Sequence, residues 1–401
     1  MLVGAGLAAA AAVAELREQG FDGRIRMFGR ERHLPYLRPP LSKGFLAGTE
    51  PRDEADVHEP DWYERHDVEV ATESEVVALD RAAHEIALAD GSTVGYTRLL
   101  LATGSIPRVP AVPGVGLPGV RTLRTIDDAE VLRREFADGG RRVVIVGSGW
   151  IGMEVAATAR SLGNEVTVLD RGTVPLAHAI GDEMGRVFAR LHIEHGVDLR
   201  STVQLERIDE ADDGLRVRLV GGDAVSADVV VLAVGASPDV ALAEEAGLDV
   251  DDGVLVDAKL TTSDPDVFAA GDLANAMHPV IGRRIRSEHW ANAKGTGHAA
   301  ARSMLGLTGD YDDIPYFYTD QYDLGMEYSG YAPLAAHARI VTRGDVAGRE
   351  FVAFWIADER VVAGMNVNVW DVNEQVQRLV RDEVVVDQAR LADPGVPLED
   401  L

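Results

Sequence analysis

The chain has 401 residues, of which 46% are hydrophobic, so it is long enough for two or three domains that each bury a core. Its formal charge of −27 excludes non-specific binding to nucleic acid or to anionic membranes, both of which need basic surface. It has no cysteine, which excludes disulfides, thiolate metal sites, cysteine-ligated iron–sulfur clusters and any redox-active cysteine pair. Only three lysines occur, Lys43, Lys259 and Lys294, while arginine supplies the remaining positive charge. A GC-rich genome or a salt-rich cytoplasm would each produce that balance, and each makes a surviving lysine worth following. No apolar run has bilayer-crossing length, and the apolar start lacks a basic leader, so a cytoplasmic protein without membrane association is expected.

In chain order, Gly4-Ala5-Gly6-Leu7-Ala8-Ala9 matches a G-x-G-x-x-A turn and opens a helix expected to run to about Gln19. Glycine is needed where the backbone turns sharply and approaches a pyrophosphate, and the helix N-terminus supplies N–H groups and dipole to the anion. Only Met1, Leu2 and Val3 precede Gly4, which leaves almost no first strand; the expectation is a late start site or a truncated chain, and a weakened first domain. Arg24 to Phe28 reads as the next strand. The acid that should meet a ribose hydroxyl at its end is Glu31, with Arg30 awkwardly beside it. The segment His33 to Lys43 contains Pro35, Pro39 and Pro40 and cannot be a regular helix throughout. Arg98 to Ala102 reads as a buried strand ending at Thr103-Gly104, and Val109 to Pro118 as a linker.

A fresh strand–turn–helix unit starts with the apolar strand Arg141 to Val146. Its turn, Gly147-Ser148-Gly149-Trp150-Ile151-Gly152, is a full G-x-G-x-x-G. Glu165 to Leu169 is the second strand of this unit, and Asp170 stands at its end. An acid there accepts from a 2′-hydroxyl and repels a 2′-phosphate, which favours NADH, although the adjacent Arg171 could greet the phosphate of NADPH. Val229 to Val234 is a later strand ending at Gly235. Asp251 to Asp266 is turn-rich, and Val267 to Ala270 leads into Gly271-Asp272. Beyond about Pro315, aromatics cluster at Tyr316, Phe317, Tyr318, Tyr322 and Tyr328. Strands are expected at Ala338 to Thr342, Phe351 to Ile356 and Val361 to Asn366, which describes a small α+β domain. Two glycine turns with an Ala-Ala-Gly-Asp segment point to two dinucleotides face to face, and the economical purpose of that arrangement is hydride transfer from a nicotinamide to a flavin.

Several segments carry a family resemblance: Arg38-Pro39-Pro40-Leu41-Ser42-Lys43, Leu101-Ala102-Thr103-Gly104, Leu123-Arg124-Thr125, the second glycine turn with Glu154, Thr261 to Asp272, Arg286 to Trp290, and Tyr316 to Tyr322. On these the chain resembles, over nearly its whole length, the FAD-dependent NAD(P)H:ferredoxin reductases of oxygenase systems, the group of putidaredoxin, rhodocoxin and dioxygenase ferredoxin reductases. Apoptosis-inducing factor shares the architecture. The resemblance implies an α/β fold with two Rossmann-like domains in the glutathione-reductase arrangement plus a C-terminal α+β domain. The implied boundaries are 1–110 with 237–314 for FAD, 111–236 for NAD(H), and 315–401 for the interface domain.

It further implies FAD at the first turn, through Gly4, Gly6, Ala8, Ala9, Glu31, Arg38, Val76, Ala102, Thr103, Gly104, Arg124, Gly271, Asp272 and Trp290. NAD(H) is implied at the second, through Gly147, Gly149, Gly152, Asp170 and Gly235. By analogy Lys43 lies near flavin N5 and pairs with Glu154; a cation there favours the negatively charged reduced ring. Lys43 could instead cap the Pro-Pro turn, Glu154 could be an exposed helix residue, and Asp272 could be a helix N-cap. No metal is expected. The implied partner is a small acidic iron–sulfur ferredoxin that feeds a cytochrome P450 or a ring-hydroxylating dioxygenase, with the reductase a monomer or homodimer. Arg283, Arg284 and Arg286 form either its docking patch or a solvated loop. An NADH oxidase, a nitrite-reductase-like subunit and a redox-sensing interaction protein are the alternatives that the residues alone leave open.

Overall fold

The computed structural model describes all 401 residues. They divide into two compact units. One comprises residues 1–37, 52–106 and 236–313, and the other residues 38–51, 107–235 and 314–401.

In the first unit five parallel strands lie in the order Val267–Ala269, Leu99–Leu101, Leu2–Val3, Ile25–Phe28, Val68–Ala71. The first strand is as short as expected, Leu2–Val3. Two residues suffice as the central strand because neighbours on both sides hold them: Leu2 pairs with Met27 and Leu100, and Val3 with Phe28 and Leu101. Both residues are buried, so burial and a double ladder replace length. Behind them the alanine-rich helix Leu7–Glu18 packs on the helix Trp290–Met304. The approach is close because Gly297 faces Ala8 and Ala11, where a side chain would collide with the Ala8 carbonyl. The strands Val76–Asp80, Glu85–Leu88 and Thr93–Gly95 form an antiparallel sheet. The turn-rich Asp251–Asp266 region contains one short strand, Val254–Val256, which pairs with Ala274–His278.

In the second unit a parallel sheet runs Asp198–Arg200, Glu165–Leu169, Arg142–Val146, Val229–Leu232, Val120–Arg121. This is the doubly wound order, with the first strand central and its two neighbours reached in opposite directions. The fully apolar run of Val143 to Val146 fits a strand covered on both faces. A three-stranded meander, Leu205–Ala211, Gly214–Leu219 and Ala224–Ala227, lies beside it. Residues from Tyr316 onward build an antiparallel sheet in the order Tyr316–Gln321, Leu324–Gly330, Arg360–Val367, Glu350–Ala357, Arg339–Asp345. Its buried Tyr328, Phe351, Trp355 and Met365 join Met153, Phe188 and Val231 in one apolar core.

Candidate active site

In the first unit the functional turns gather beyond the carboxyl ends of the parallel strands, the usual ligand position in such sheets. Gly4 has φ 103°, and a methyl there would drive into the Ala102 carbonyl. Only glycine allows the chain to leave the Leu2–Val3 strand so tightly. A methyl on Gly6, by contrast, would meet nothing within 4 Å, so the backbone at the N-terminus of the Leu7–Glu18 helix is bare to an approaching phosphate. Ala8 and Ala9 are buried, and Ala8 faces Gly271.

Asp272 is buried in the turn Gly271–Leu273, where the Ser105 hydroxyl donates to its Oδ2 at 2.7 Å. Thr296 fixes this turn by accepting from the Gly271 N–H at 2.9 Å. Thr103 donates to the Asp239 carbonyl at 2.8 Å, and Gly104 adopts φ 75°. Arg30 does not compete with Glu31: it is exposed and turns to Asp239 at 3.1 Å. Glu31 is half-buried and accepts from the Tyr36 hydroxyl at 2.5 Å. Val76 opens its strand two residues after Ser74, whose N–H donates to the Gly29 carbonyl at 2.8 Å. Trp290 begins the helix Trp290–Met304, with the Lys294 ammonium 5.6 Å from its ring centroid.

The second unit contains the other glycine turn. Gly147 has φ 108°, and a methyl on Gly152 would strike the Gly147 carbonyl, so the helix Trp150–Ser161 is held tight against its own turn. Gly149 faces open space, as Gly6 does. Asp170 braces the turn by accepting from Ser148 N–H at 2.7 Å and from Gly172 N–H at 2.5 Å. Its two oxygens offer about four lone-pair directions, so acceptor capacity remains for a ribose hydroxyl. Gly235, at φ 100°, follows the Val229–Leu232 strand.

Lys43 ends the short 3-10 turn Pro39–Ser42, so the prolines that exclude a regular helix also present this lysine. Its Nζ lies 3.0 Å from Glu154 Oε2 and donates to the Pro39 carbonyl at 3.2 Å. Those contacts engage two of its three N–H donors and leave one for a ligand. Glu154 is not an exposed helix residue: it is 4% exposed. Ser42 donates to its Oε2 and Thr319 to its Oε1, the latter at 2.6 Å. These hydroxyls were not singled out by sequence reasoning, although both fall inside segments that carried the resemblance. The Tyr318 ring lies 5.4 Å from Lys43 Nζ, and burial pushes its phenol up to about 12. The Arg38 guanidinium donates to the Arg124 carbonyl. Arg124 itself precedes the helix Ile126–Phe136, whose Thr125–Asp128 capping box also receives the Arg124 N–H, at 3.0 Å.

The three candidate docking arginines differ in how far their side chains are engaged. Arg284 donates to the carbonyls of Val256 and Asn275, both at 2.9 Å. Arg286 is 11% exposed and pairs with Asp252 and Glu288. Arg283 and Arg284 are both exposed.

Both glycine turns fit dinucleotides on their own geometry: each joins a parallel strand to a helix N-terminus and has open space at its middle glycine. Comparison with known proteins gives the family. Residues 1–297 match the pyridine nucleotide-disulphide oxidoreductase family, and residues 316–401 the reductase C-terminal family. The chain is 38% identical over 400 residues to the ferredoxin–NAD(+) reductase component of the anthranilate 1,2-dioxygenase system of Burkholderia cepacia, covering 100% of this chain and 98% of that one. The ferredoxin reductase of the CYP199A2 system from Rhodopseudomonas palustris superposes with a TM-score of 0.95 at 33% identity, covering 99% and 98% of the two chains. The reductase in the covalent putidaredoxin reductase–putidaredoxin complex does so with a TM-score of 0.94 at 32% identity, covering 100% and 96%.

Proposed function

This chain belongs to the pyridine nucleotide-disulphide oxidoreductases that carry a reductase C-terminal domain, and from that premise we propose that it is an NADH-dependent ferredoxin reductase of an oxygenase system. Bound FAD would supply the conversion of a two-electron hydride from NADH into single electrons for an iron–sulfur ferredoxin serving a P450 or a ring-hydroxylating dioxygenase. The absence of any cysteine accords with this reading, because a disulfide reductase of the same family needs a reactive pair.

The observation that carries the proposal is the buried Lys43–Glu154 pair in a chain with three lysines. By the family resemblance, Lys43 would supply the positive charge that favours the negatively charged reduced ring. Glu154, held by two hydroxyls, keeps that ammonium in place. No side chain has to donate or remove a proton for hydride transfer, so none is assigned as acid or base. We assign FAD to residues 1–110 and 237–314, NADH to 111–236 and the interface role to 315–401. Glu31 and Asp272 would hold FAD by its hydroxyl groups, with the bare backbone at Gly6 at its phosphates. Asp170 favours NADH over NADPH by charge.

No helix is long and apolar enough to cross a membrane, and a cytoplasmic location is the reading we carry forward. The function is tested by reducing cytochrome c with NADH in the presence of small iron–sulfur ferredoxins. Acceleration by at least one ferredoxin is expected. Flavin turnover with oxygen alone, and none through any ferredoxin, would favour the oxidase reading instead.

A further inference from the structure

Behind Glu154 runs a buried polar chain that the reaction as described does not use. Thr319 and Gln321 lie two residues apart on the strand Tyr316–Gln321, so both face inward while Tyr318 and Asp320 face the other way. Each is 1% exposed. Gln321 Nε2 donates to Thr319 Oγ1 at 3.1 Å, and Thr319 Oγ1 donates to Glu154 Oε1 at 2.6 Å. On the far side, Gln321 Oε1 lies 2.8 Å from Nε2 of His192, which is fully buried on the helix Ala177–Glu194.

The proton positions follow from what each group can do. An amide whose NH2 is spent on Thr319 turns its oxygen to His192, so His192 must donate through Nε2. Its Nδ1 is then the bare nitrogen of a neutral ring, and that atom is buried with no partner. Thr319, whose oxygen accepts from Gln321, has one proton left, and it points to Glu154. Every donor therefore runs one way, from His192 through Gln321 and Thr319 to the carboxylate. On its other oxygen Glu154 receives Ser42 and Lys43. Thr158, one turn along the same helix, donates to the Ser42 carbonyl at 2.8 Å and steadies that hydroxyl.

We propose that Thr319, Gln321 and His192 are positioning residues for the Lys43–Glu154 pair: they orient one hydroxyl proton onto Glu154 Oε1 and so fix the carboxylate that holds the Lys43 ammonium in place. A buried chain of this kind gives the core nothing that apolar side chains of equal volume would not. Its value lies in the single direction of its hydrogen bonds and in the ion at its end. Thr319 and His192 are buried, and Thr319 meets the carboxylate that holds Lys43, so within this unit the chain acts on Lys43 through Glu154. The inference rests on the reading of Lys43 as the cation beside FAD.

The test uses the FAD-loaded protein and the variants T319V, T319S and Q321E. T319V keeps the shape and removes the hydroxyl. Q321E keeps the shape, cannot donate to Thr319, and draws the Thr319 proton away from Glu154. The midpoint potential of the bound flavin and the rate of its reduction at saturating NADH are read together. T319V and Q321E are expected to lower the potential and to slow reduction by about tenfold, equivalent to ~1.4 kcal/mol, with KM for NADH changed by less than about threefold. T319S, which restores the hydroxyl, is expected to recover both readouts. Folded T319V and Q321E proteins with unaltered flavin potential would overturn the proposal. If those variants do not fold, ¹⁵N-histidine NMR of the unmodified holoprotein, with H192Q to assign the signal, decides: a neutral His192 protonated on Nε2 supports the chain, and protonation on Nδ1 refutes it. A wild-type protein that binds FAD but is not reduced by NADH would instead refute the functional reading on which the proposal stands.

Discussion

Lys43 is a cation held at the edge of a buried site, 17% exposed, against a carboxylate that is 4% exposed. A pair of this kind costs several kcal/mol to break by removing one partner, because the other charge remains buried without it. E154Q retains a hydrogen-bonding side chain but removes the charge that anchors Lys43. It should slow flavin reduction by NADH at least about tenfold, or ~1.4 kcal/mol, while stopped-flow measurement shows NADH affinity little altered. An unchanged rate would remove Lys43–Glu154 from the reaction. Asp170 presents a different case, since its carboxylate already serves Ser148 and Gly172. D170N would face the Ser148 N–H with an amide that can offer only one acceptor. We expect KM for NADH to rise about tenfold with kcat less affected, and discrimination against NADPH to weaken. The ratio kcat/KM for the two nucleotides checks both.

At the scale of elements, the two glycine turns were legible because backbone geometry forces them: Gly4 against Ala102 and Gly152 against Gly147 leave no room for a side chain. Gly4→Ala combines that collision with an unfavourable positive φ, a strain of about 1–3 kcal/mol before the clash is counted. The protein should purify largely without its flavin colour, with FAD affinity lowered at least about tenfold; isothermal titration of the apoprotein measures it, and wild-type affinity would mean that the turn does not hold FAD. The strand Leu2–Val3 was not legible. Two residues have no periodicity, and what makes them a strand is the pair of neighbours from residues 25–28 and 99–101. Long-range partners explain the other gaps. Arg30 is drawn off Glu31 by Asp239, and Arg284 is committed to the carbonyls of Val256 and Asn275. His192 meets Gln321 across 129 residues. Local pattern names which side chains carry chemistry, but the acceptors that occupy them come from tertiary structure.

For the whole molecule, charge and a buried imidazole set the response to solution conditions. Burial pushes His192 down to about 4 from the ordinary value near 6.5. Between those values the unfolded chain binds protons that the folded one does not, so stability rises with pH through this window and is lost as pH falls from about 6.5 toward about 4. His192 contributes about 1.4 kcal/mol per pH unit across it. Urea midpoints at pH 7 and pH 5 should therefore fall on acidification, and less steeply in H192Q; equal slopes would place His192 in a solvated environment. The charge of −27 adds self-repulsion that salt screens. It also means that an acidic ferredoxin must dock against local positive charge; of the three candidate arginines only Arg286 is paired with carboxylates.

The central claim, that this fold holds FAD beside Lys43 and reduces it with NADH, is tested most directly by anaerobic titration of the purified protein. A yellow protein whose flavin absorbance bleaches with one equivalent of NADH, and much more slowly with NADPH, is the predicted result. A protein that stays colourless after incubation with FAD, or whose bound flavin NADH does not bleach, would contradict it.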